Sequence, residues 1–317
     1  MSKKYYCCLD IGGTKILMLF IDQDGTVVYR KKTTTPRPSL PGSVIQSVKE
    51  MLKEASSELG LPVNYLPDGI GLCMAGFTET SNGIVHQAPN LDWHQPVPLK
   101  KMMEESFSTS VLIENDTNAA VIGEVYFGAA QGHNHAIYIT ISTGIGGGLF
   151  LDGRLYRGSF GFAGEVGHIK PYGKGRTCKC GGENCLEIWA SGSAIARSAR
   201  SLIDSCDPGD ETIDTKRVFE EADRGNELAA AVIEDAAMKT GIGLANLINL
   251  LNPSCIVIGG GVAGGRPDYL ERIKSYVYKN AIRPSVDIAS VSLVPAALEP
   301  EAGIWGMYAF LTGKAVG

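Results

Sequence analysis

Two stretches of the chain follow one pattern, and that repetition restricts the fold more than any single motif does. From Tyr5 to Arg30 an apolar strand meets the turn Asp10-Ile11-Gly12-Gly13-Thr14-Lys15, a second apolar strand follows, and Asp24-Gly25 turns the chain into a third. From Ala136 to Arg157 the same order recurs, with Ser142-Thr143-Gly144-Ile145-Gly146-Gly147-Gly148 at the first turn and Asp152-Gly153 at the second. Gly-rich and Asp-Gly turns supply the positive φ of tight connections, so each stretch is expected to form a small antiparallel meander. Two such meanders in one chain imply a duplicated fold. Each is followed by alternating strands and helices. Leu40 to Leu59 has helical spacing, Gly69 to Met74 and Val111 to Glu114 read as strands, and Asn118 to Phe127 reads as a helix. Helices near Trp189 to Ile203 and Asn226 to Leu251, the strand Cys255 to Ile258, a helix near Asp268 to Asn280, the strand Ala289 to Val294 and a final helix from Glu301 complete an α/β chain with mixed sheets. The expected division is a small N-terminal domain of residues 1–117 and a larger one of residues 118–300, with the helix of about residues 301–317 packing back onto the first.

With 317 residues, 44% hydrophobic and 20% charged, the chain has ample core for two domains. A net charge of −5 gives no electrostatic reason to bind nucleic acid or an anionic membrane, so anionic ligands need local donors. The N-terminus runs straight into a strand and an acid rather than a signal peptide, and no apolar run reaches membrane-spanning length, so a cytoplasmic location is expected. Cys7, Cys8, Cys73, Cys206 and Cys255 lie mostly in apolar strand-like runs, which suits reduced core thiols.

The remaining cysteines are different. Cys178-Lys179-Cys180 and Cys185 follow Gly164-Glu165-Val166-Gly167-His168, so three thiols and one imidazole fall within a short Gly-rich stretch. His168, Cys178, Cys180 and Cys185 make a complete tetrahedral zinc set, with no position left for a reactive water, so the metal is expected to be structural. It would fold a loop poor in apolar side chains and hold Glu165 and Glu187 in place. The alternative is a buried or disulfide-bonded trio of cysteines.

In Asp10-Ile11-Gly12-Gly13-Thr14-Lys15 a carboxylate at a strand end precedes two glycines and a hydroxyl, which lets backbone N–H groups and Thr14 approach a phosphate while Asp10 holds a hydrated Mg²⁺. Thr143-Gly144 with its following glycines is the same device in the second half, and the pair would enclose the phosphate tail of one nucleotide. A Gly-x₄-Gly-Lys-Ser/Thr loop is absent, which excludes the P-loop as the means. Gly259-Gly260-Gly261 follows a strand too late in the chain for a dinucleotide fold, and reads as a strand end on which an adenine or ribose rests, or as a plain turn. Glu114-Asn115-Asp116-Thr117-Asn118 puts an acid at a strand end and helix start. Asp116 is the candidate general base toward a substrate hydroxyl attacking phosphorus; the bland account makes Asp116 or Thr117 a helix cap. Glu165, His168 and Glu187 would ring a small polar ligand such as a sugar.

Taken in order, Asp10-x-Gly-Gly-Thr, Glu114-Asn115-Asp116, Thr143-Gly144-Ile145-Gly146-Gly147-Gly148, Gly164-Glu165-x-Gly-His168, Cys178-x-Cys180-Gly-Gly-x-x-Cys185-Leu-Glu187 and Asn252-Pro253 before Val257-Ile258-Gly259-Gly260-Gly261 resemble the ROK (repressor, open reading frame, kinase) family across nearly the whole chain. The resemblance implies an actin-like ATPase (ribonuclease H-like) duplicated fold of two domains with a cleft between them, usually a homodimer or tetramer. It implies ATP-dependent phosphorylation of a hexose at its 6-hydroxyl, with glucose the first expectation, N-acetylmannosamine the second, and a non-catalytic sugar sensor or repressor the rival from another class. Such repressors carry a helix-turn-helix domain ahead of the Asp-x-Gly-x-Thr turn, where only nine residues precede Asp10 here. By the same resemblance Asp116 is the base. Gly76, Asn90, Asn115, Glu165, His168 and Glu187 contact the sugar. Gly12, Gly13, Thr14, Lys15, Thr143 and Gly144 hold ATP phosphates, Gly260 and Gly261 the adenosine, and Asp10 orients Mg²⁺. His168 would serve both metal and sugar, one ring nitrogen for each. Met74-Ala75-Gly76 and Asn184 depart from the family's usual Ala-Pro-Gly and Gly.

Overall fold

The computed structural model describes residues 3–62, 65–171, 175–200 and 213–315. In chain order it forms β1 (Tyr5–Ile11), β2 (Lys15–Asp22), β3 (Val27–Thr34), α1 (Pro41–Glu58), β4 (Gly69–Met74), β5 (Phe77–Glu79), β6 (Ile84–Gln87), α2 (Leu99–Phe107), β7 (Val111–Asn115) and α3 (Asp116–Phe127). There follow β8 (Ala136–Ile141), β9 (Ile145–Leu151), β10 (Arg154–Leu155), α4 (Glu187–Ala190), α5 (Gly192–Arg200), α6 (Thr215–Asp223), α7 (Glu227–Leu251), β11 (Cys255–Gly259), α8 (Pro267–Asn280), β12 (Ser292–Pro295) and α9 (Ala302–Leu311). Contacts divide the chain into two units. Unit 1 holds Met1–Gln131, Arg154–Ala163 and Pro300–Gly317, and unit 2 holds Gly132–Gly153 and Gly164–Glu299.

In unit 1 the strands lie in the order β3-β2-β1-β4-β7. β1 pairs antiparallel with β2 and parallel with β4, and β4 pairs parallel with β7, so the sheet is mixed. Alternation along the strands explains why they are apolar throughout. Cys7, Leu9 and Ile11 of β1 with Ile16, Met18 and Phe20 of β2 join a core with Val44, Val48 and Leu99 of α1 and α2. The intervening Cys8, Leu17, Leu19 and Ile21 join another with Ala119 of α3 and Ile304, Met307 and Tyr308 of α9. A sheet covered on both faces requires such continuous hydrophobic runs. β4 supplies Gly69 and Gly71 where α9 crosses, and a Cβ at either would come within 2.9 Å of Leu311 or Met307.

In unit 2 the strands β9-β8-β11-β12 are neighbours in that order. β8 pairs antiparallel with β9 and parallel with β11, repeating the arrangement of β1, β2 and β4. α7 runs along this unit with α8, α6, α5 and α4 packed on it. Asn226 caps its start by accepting the N–H groups of Leu228 and Ala229, and Asn252 in the left-handed region ends it.

The unit boundary falls at Gln131/Gly132, whereas the sequence pattern placed it after Thr117. α3 stays with unit 1 because its main partner is α9. The helix expected near Trp189 to Ile203 is broken at Ser191 into α4 and α5, and residues 201–212, with Cys206, lie outside the described residues. The expected strand Ala289 to Val294 is β12, starting at Ser292 after a π-turn at Pro284–Ile288. Cys7, Cys8, Cys73 and Cys255 are buried and form no disulfide among the described residues. Among the described residues no helix is long and apolar enough to cross a membrane.

Candidate functional site

Unit 1 gathers the first group of candidate residues at the ends of β1, β4 and β7. Asp10 lies opposite Cys73, and Cys73 opposite Glu114. Burial pushes the Cys73 thiol far up, and the fields of Asp10 and Asp116 add to it, which puts both carboxylates near one thiol. The Gly12–Thr14 turn is closed by the Gly12 N–H donating to Lys15 O at 2.9 Å and braced by the Thr35 hydroxyl on Gly12 O at 2.6 Å. Arg37 donates to Gly13 O at 2.7 Å. Gly13 must be a glycine because a Cβ there would sit 2.5 Å from the Asn90 carbonyl oxygen. The candidate phosphate turn and the candidate sugar residue Asn90, exposed on the turn Pro89–Leu91, are therefore in contact. Thr14 is exposed and Lys15 half-buried at the start of β2.

Asn115, not Asp116 or Thr117, is the N-cap of α3. Its side-chain oxygen accepts from Thr117 N at 2.9 Å, Asn118 N at 3.1 Å and the Thr117 hydroxyl at 2.7 Å, while its amide donates to Gly76 O at 3.3 Å. Asn115 thus engages much of its side chain in holding the β7–α3 junction. Gly76 has φ 145° and packs against the Gln87 carbonyl, where a Cβ would not fit. Asp116 occupies the first position of α3, half-buried, with one carboxylate oxygen 2.9 Å from Thr117 N. Burial raises its carboxyl above the ordinary value and outweighs the lowering by the N–H groups of Thr117 and Asp116. A carboxylate so tuned is a better proton acceptor than an exposed one.

In unit 2, His168, Cys178, Cys180 and Cys185 each bring one ligand atom within 4.8 Å of the others. His168 Nδ1 faces Cys178 Sγ at 3.9 Å, and Cys180 Sγ lies 3.7 Å from Cys185 Sγ. The thiols carry no disulfide. Burial pushes Cys185 up to about 12, and the Gly182 N–H lowers Cys180; a divalent metal at this set would hold the thiols as thiolates. The donors, their number and their mutual distances fit tetrahedral zinc. The other ring nitrogen of His168 points elsewhere, with Glu165 Oε2 at 3.7 Å from Nε2. Glu165 is exposed.

The glycines of the second turn divide their work. Ser142, Thr143 and Gly144 form the bend, with Ser142 N donating to Gly144 O at 2.9 Å, while Gly146, Gly147 and Gly148 belong to β9. A Cβ at Gly147 would come 2.5 Å from Val166 Cγ2, so this glycine admits the Glu165–His168 segment. Glu187 accepts the Ile145 N–H at 3.0 Å, so the expected sugar carboxylate also braces the bend. Gly260, at φ 87°, has its Cβ position against the Ile141 backbone, and Gly261 has open space instead.

Thr143 and Gly261 line a cavity of about 610 Å³ with Ser142, Gly192, Ser193, Arg197, Arg200 and Lys216. The N-terminus of α5 opens onto it, with Arg197 and Arg200 one turn along. Sequence reasoning missed these three cations. Their only signal was two arginines three apart on a helix flanked by small residues, a pattern most solvated helices share.

A model of the ROK family matches residues 6–314. Over 300 residues the chain is 34% identical to a glucokinase of Streptomyces coelicolor, covering 90% of this chain and 92% of that one. It is 35% identical over 281 residues to a xylose repressor of Caldicellulosiruptor bescii, covering 85% of this chain and 69% of the repressor. A solved ROK family glucokinase from Streptomyces griseus, in complex with glucose and AMPPNP, superposes with a TM-score of 0.78 at 34% identity, covering 96% and 98% of the two chains. The fold is therefore the actin-like one, and the family match spans nearly the whole sequence: the chain is a member of the ROK family.

Proposed function

We propose that the protein is an ATP-dependent hexose kinase that phosphorylates a sugar at its 6-hydroxyl, with glucose the preferred substrate. The observation that carries this reading is Asp116. Its neighbour Asn115 does the capping, and burial raises its carboxyl, as a general base at a strand end requires. Asp116 takes the proton of the 6-hydroxyl as that oxygen attacks the γ-phosphorus in line. Asn90, Gly76, Asn115, Glu165, His168 and Glu187 bind the remaining hydroxyls. Gly12, Gly13, Thr14, Lys15, Thr143 and Gly144 bind the phosphates. The cavity beside Gly261, with Arg197, Arg200, Lys216 and a helix N-terminus around it, supports a nucleotide there, with Gly260 and Gly261 toward the adenosine. Asp10 would hold hydrated Mg²⁺, which neutralises charge on the transferring phosphoryl group. Zinc at His168, Cys178, Cys180 and Cys185 is structural and aims Glu165 and the free face of His168 at the sugar.

The glucokinase relatives span nearly all of the aligned chains and support the kinase reading, while the xylose repressors make a non-catalytic sugar sensor the rival. A coupled assay offering glucose, mannose, fructose, N-acetylglucosamine and N-acetylmannosamine with ATP separates them. Glucose is expected to give the highest kcat/KM. Highest turnover with N-acetylmannosamine would reassign the substrate, and no turnover with any sugar would revive the sensor. Asp116→Asn is expected to lower kcat by about a hundredfold or more while glucose still binds; full turnover in that variant would remove Asp116 as the base.

A further inference from the structure

The segment Arg154–Ala163 clusters with unit 1 although the residues before and after it belong to unit 2. It is bracketed by glycines at positive φ, Gly153 at 72° and Gly164 at 94°, where the backbone takes turns that other residues resist. Two side chains fasten it. Phe162 meets Phe77 of β5 edge to face with ring centroids 5.7 Å apart. Arg157 reaches Glu114, its Nε and Nη2 lying 2.8 and 2.7 Å from Oε2, and its guanidinium lies over the Phe310 ring of α9.

Glu114 is 2% exposed. Its other oxygen accepts the Asn115 N–H at 2.9 Å, the Thr80 hydroxyl at 3.2 Å and the Asn118 amide at 3.2 Å. A carboxylate this deep stands as an anion only when charge and hydrogen bonds replace the lost water, and here one guanidinium fork and three donors do so. The donors are informative. Asn115 and Asn118 lie on either side of Asp116 in the chain, so the carboxylate that Arg157 neutralises grips the last residue of β7 and the first turn of α3 together.

We propose that Arg157 is a positioning residue for phosphoryl transfer, acting through Glu114 to fix the β7–α3 junction that presents Asp116. An apolar pair of the same volume would fill the space without directing Glu114, whereas the fork sets both the carboxylate's orientation and its charge. Removing Arg157 takes away the counter-charge and both donors on Oε2 of Glu114 and leaves donors only on its other oxygen, two residues from the base. Neither Arg157 nor Glu114 is a member of the apolar cores of unit 1, and the pair touches the α3–α9 core at its margin, through Phe310. Loss of the arginine therefore disturbs the junction more than the fold. The effect falls on turnover, since an ångström's misplacement of a reacting group costs on the order of a hundredfold, while the pair's partners Thr80, Asn115, Asn118 and Phe310 include neither the Gly12–Lys15 turn nor a residue lining the cavity at Thr143 and Gly261.

The inference rests on the kinase reading, and one set of proteins tests it: wild type, Arg157→Gln, Glu114→Gln and the double variant, each assayed for kcat, KM for ATP, KM for sugar and thermal midpoint. Arg157→Gln is expected to lower kcat at least about tenfold with KM for ATP within about twofold of wild type. The double variant is expected to recover part of that loss, because no lone charge remains. An Arg157→Gln enzyme with wild-type kcat, or losses that simply add in the double variant, would overturn it. So would a fall in kcat that tracks the thermal midpoint and KM for ATP alike, since that marks a merely structural pair. A wild type that turns over no sugar defeats the kinase reading itself, and is told apart from these results by the wild-type assay alone.

Discussion

At the scale of single residues, either of the adjacent side chains Asn115 and Asp116 could have capped α3, and Asn115 does so. Because Asn115 Oδ1 takes the N–H groups of Thr117 and Asn118, the cap requires no carboxylate, and Asp116 has the shared Thr117 N–H and its own N–H beside it. Burial then acts on Asp116 without strong compensation and raises its carboxyl. The consequence for pH follows from the sign of that shift. A base works only when deprotonated, and a raised pKa moves the loss of the working form to higher pH than the roughly 3.9 of an ordinary aspartate. The kcat profile for sugar phosphorylation should therefore fall on its acid side at a pH above that value, and Asp116→Asn should abolish the limb along with the rate. A profile that stays level until the protein unfolds in acid would show that no buried carboxylate carries the proton. The motif in the sequence pointed to this acid, but left open whether it was a cap. The answer lay in which of two adjacent side chains turns toward the helix.

At the scale of elements, the candidate metal loop is the case in which local sequence says most. Four potential ligands in short spacing need no distant partner to be recognised, and their ligand atoms converge within 4.8 Å. The two meanders are legible for the same reason, since apolar alternation and Asp-Gly turns are local signals. What remained hidden are contacts whose partners lie far apart in sequence: Arg157 with Glu114, Glu187 with Ile145, and the arginines of α5 beside Thr143. Spacing carries no information about such pairs. The loop's packing also depends on a distant element, for Gly243 of α7 lies where a Cβ would press on Ile169 and Leu186 at the two ends of the loop. Metal removal should thus be felt beyond the four ligands. Purified protein is expected to hold about one zinc per chain by elemental analysis. A strong chelator should weaken sugar binding, because His168 and Glu165 lose their fixed direction, and re-added zinc should restore it. Zinc-free protein that binds sugar as tightly as before would refute the structural role.

At the scale of the whole molecule, α9 supports α3, the helix that begins with Asp116, the proposed base. α9 lies on β1 and β4 and against α3, and Tyr308 donates to Asp22 O at 2.9 Å, joining the C-terminal helix to the end of β2. The two helices meet with their backbones nearly touching. A Cβ at Gly306 would overlap the Ala119 carbonyl oxygen, one at Gly123 would overlap that of Ala302, and one at Gly303 would come 3.4 Å from Asp116 O. Sequence pattern alone put the domain boundary between β7 and α3, because strand and helix periodicities change there. The contacts keep α3 in unit 1, because glycines let α9 approach so closely. Gly306→Ala tests this dependence. The added methyl must part α3 from α9 in a packed core, which costs about 1–3 kcal/mol and should lower the thermal midpoint by several degrees. Since α3 starts at Asp116, kcat should fall too, while KM for ATP stays near wild type because the added methyl presses on Ala119 of α3 and not on the Gly12–Lys15 turn or the Thr143–Gly261 cavity. Gly42→Ala, in the first turn of α1 with open space around it, serves as the control and should be neutral or slightly stabilising. If Gly306→Ala behaves like Gly42→Ala in both melting and turnover, the close approach of α9 is not what keeps the base in place.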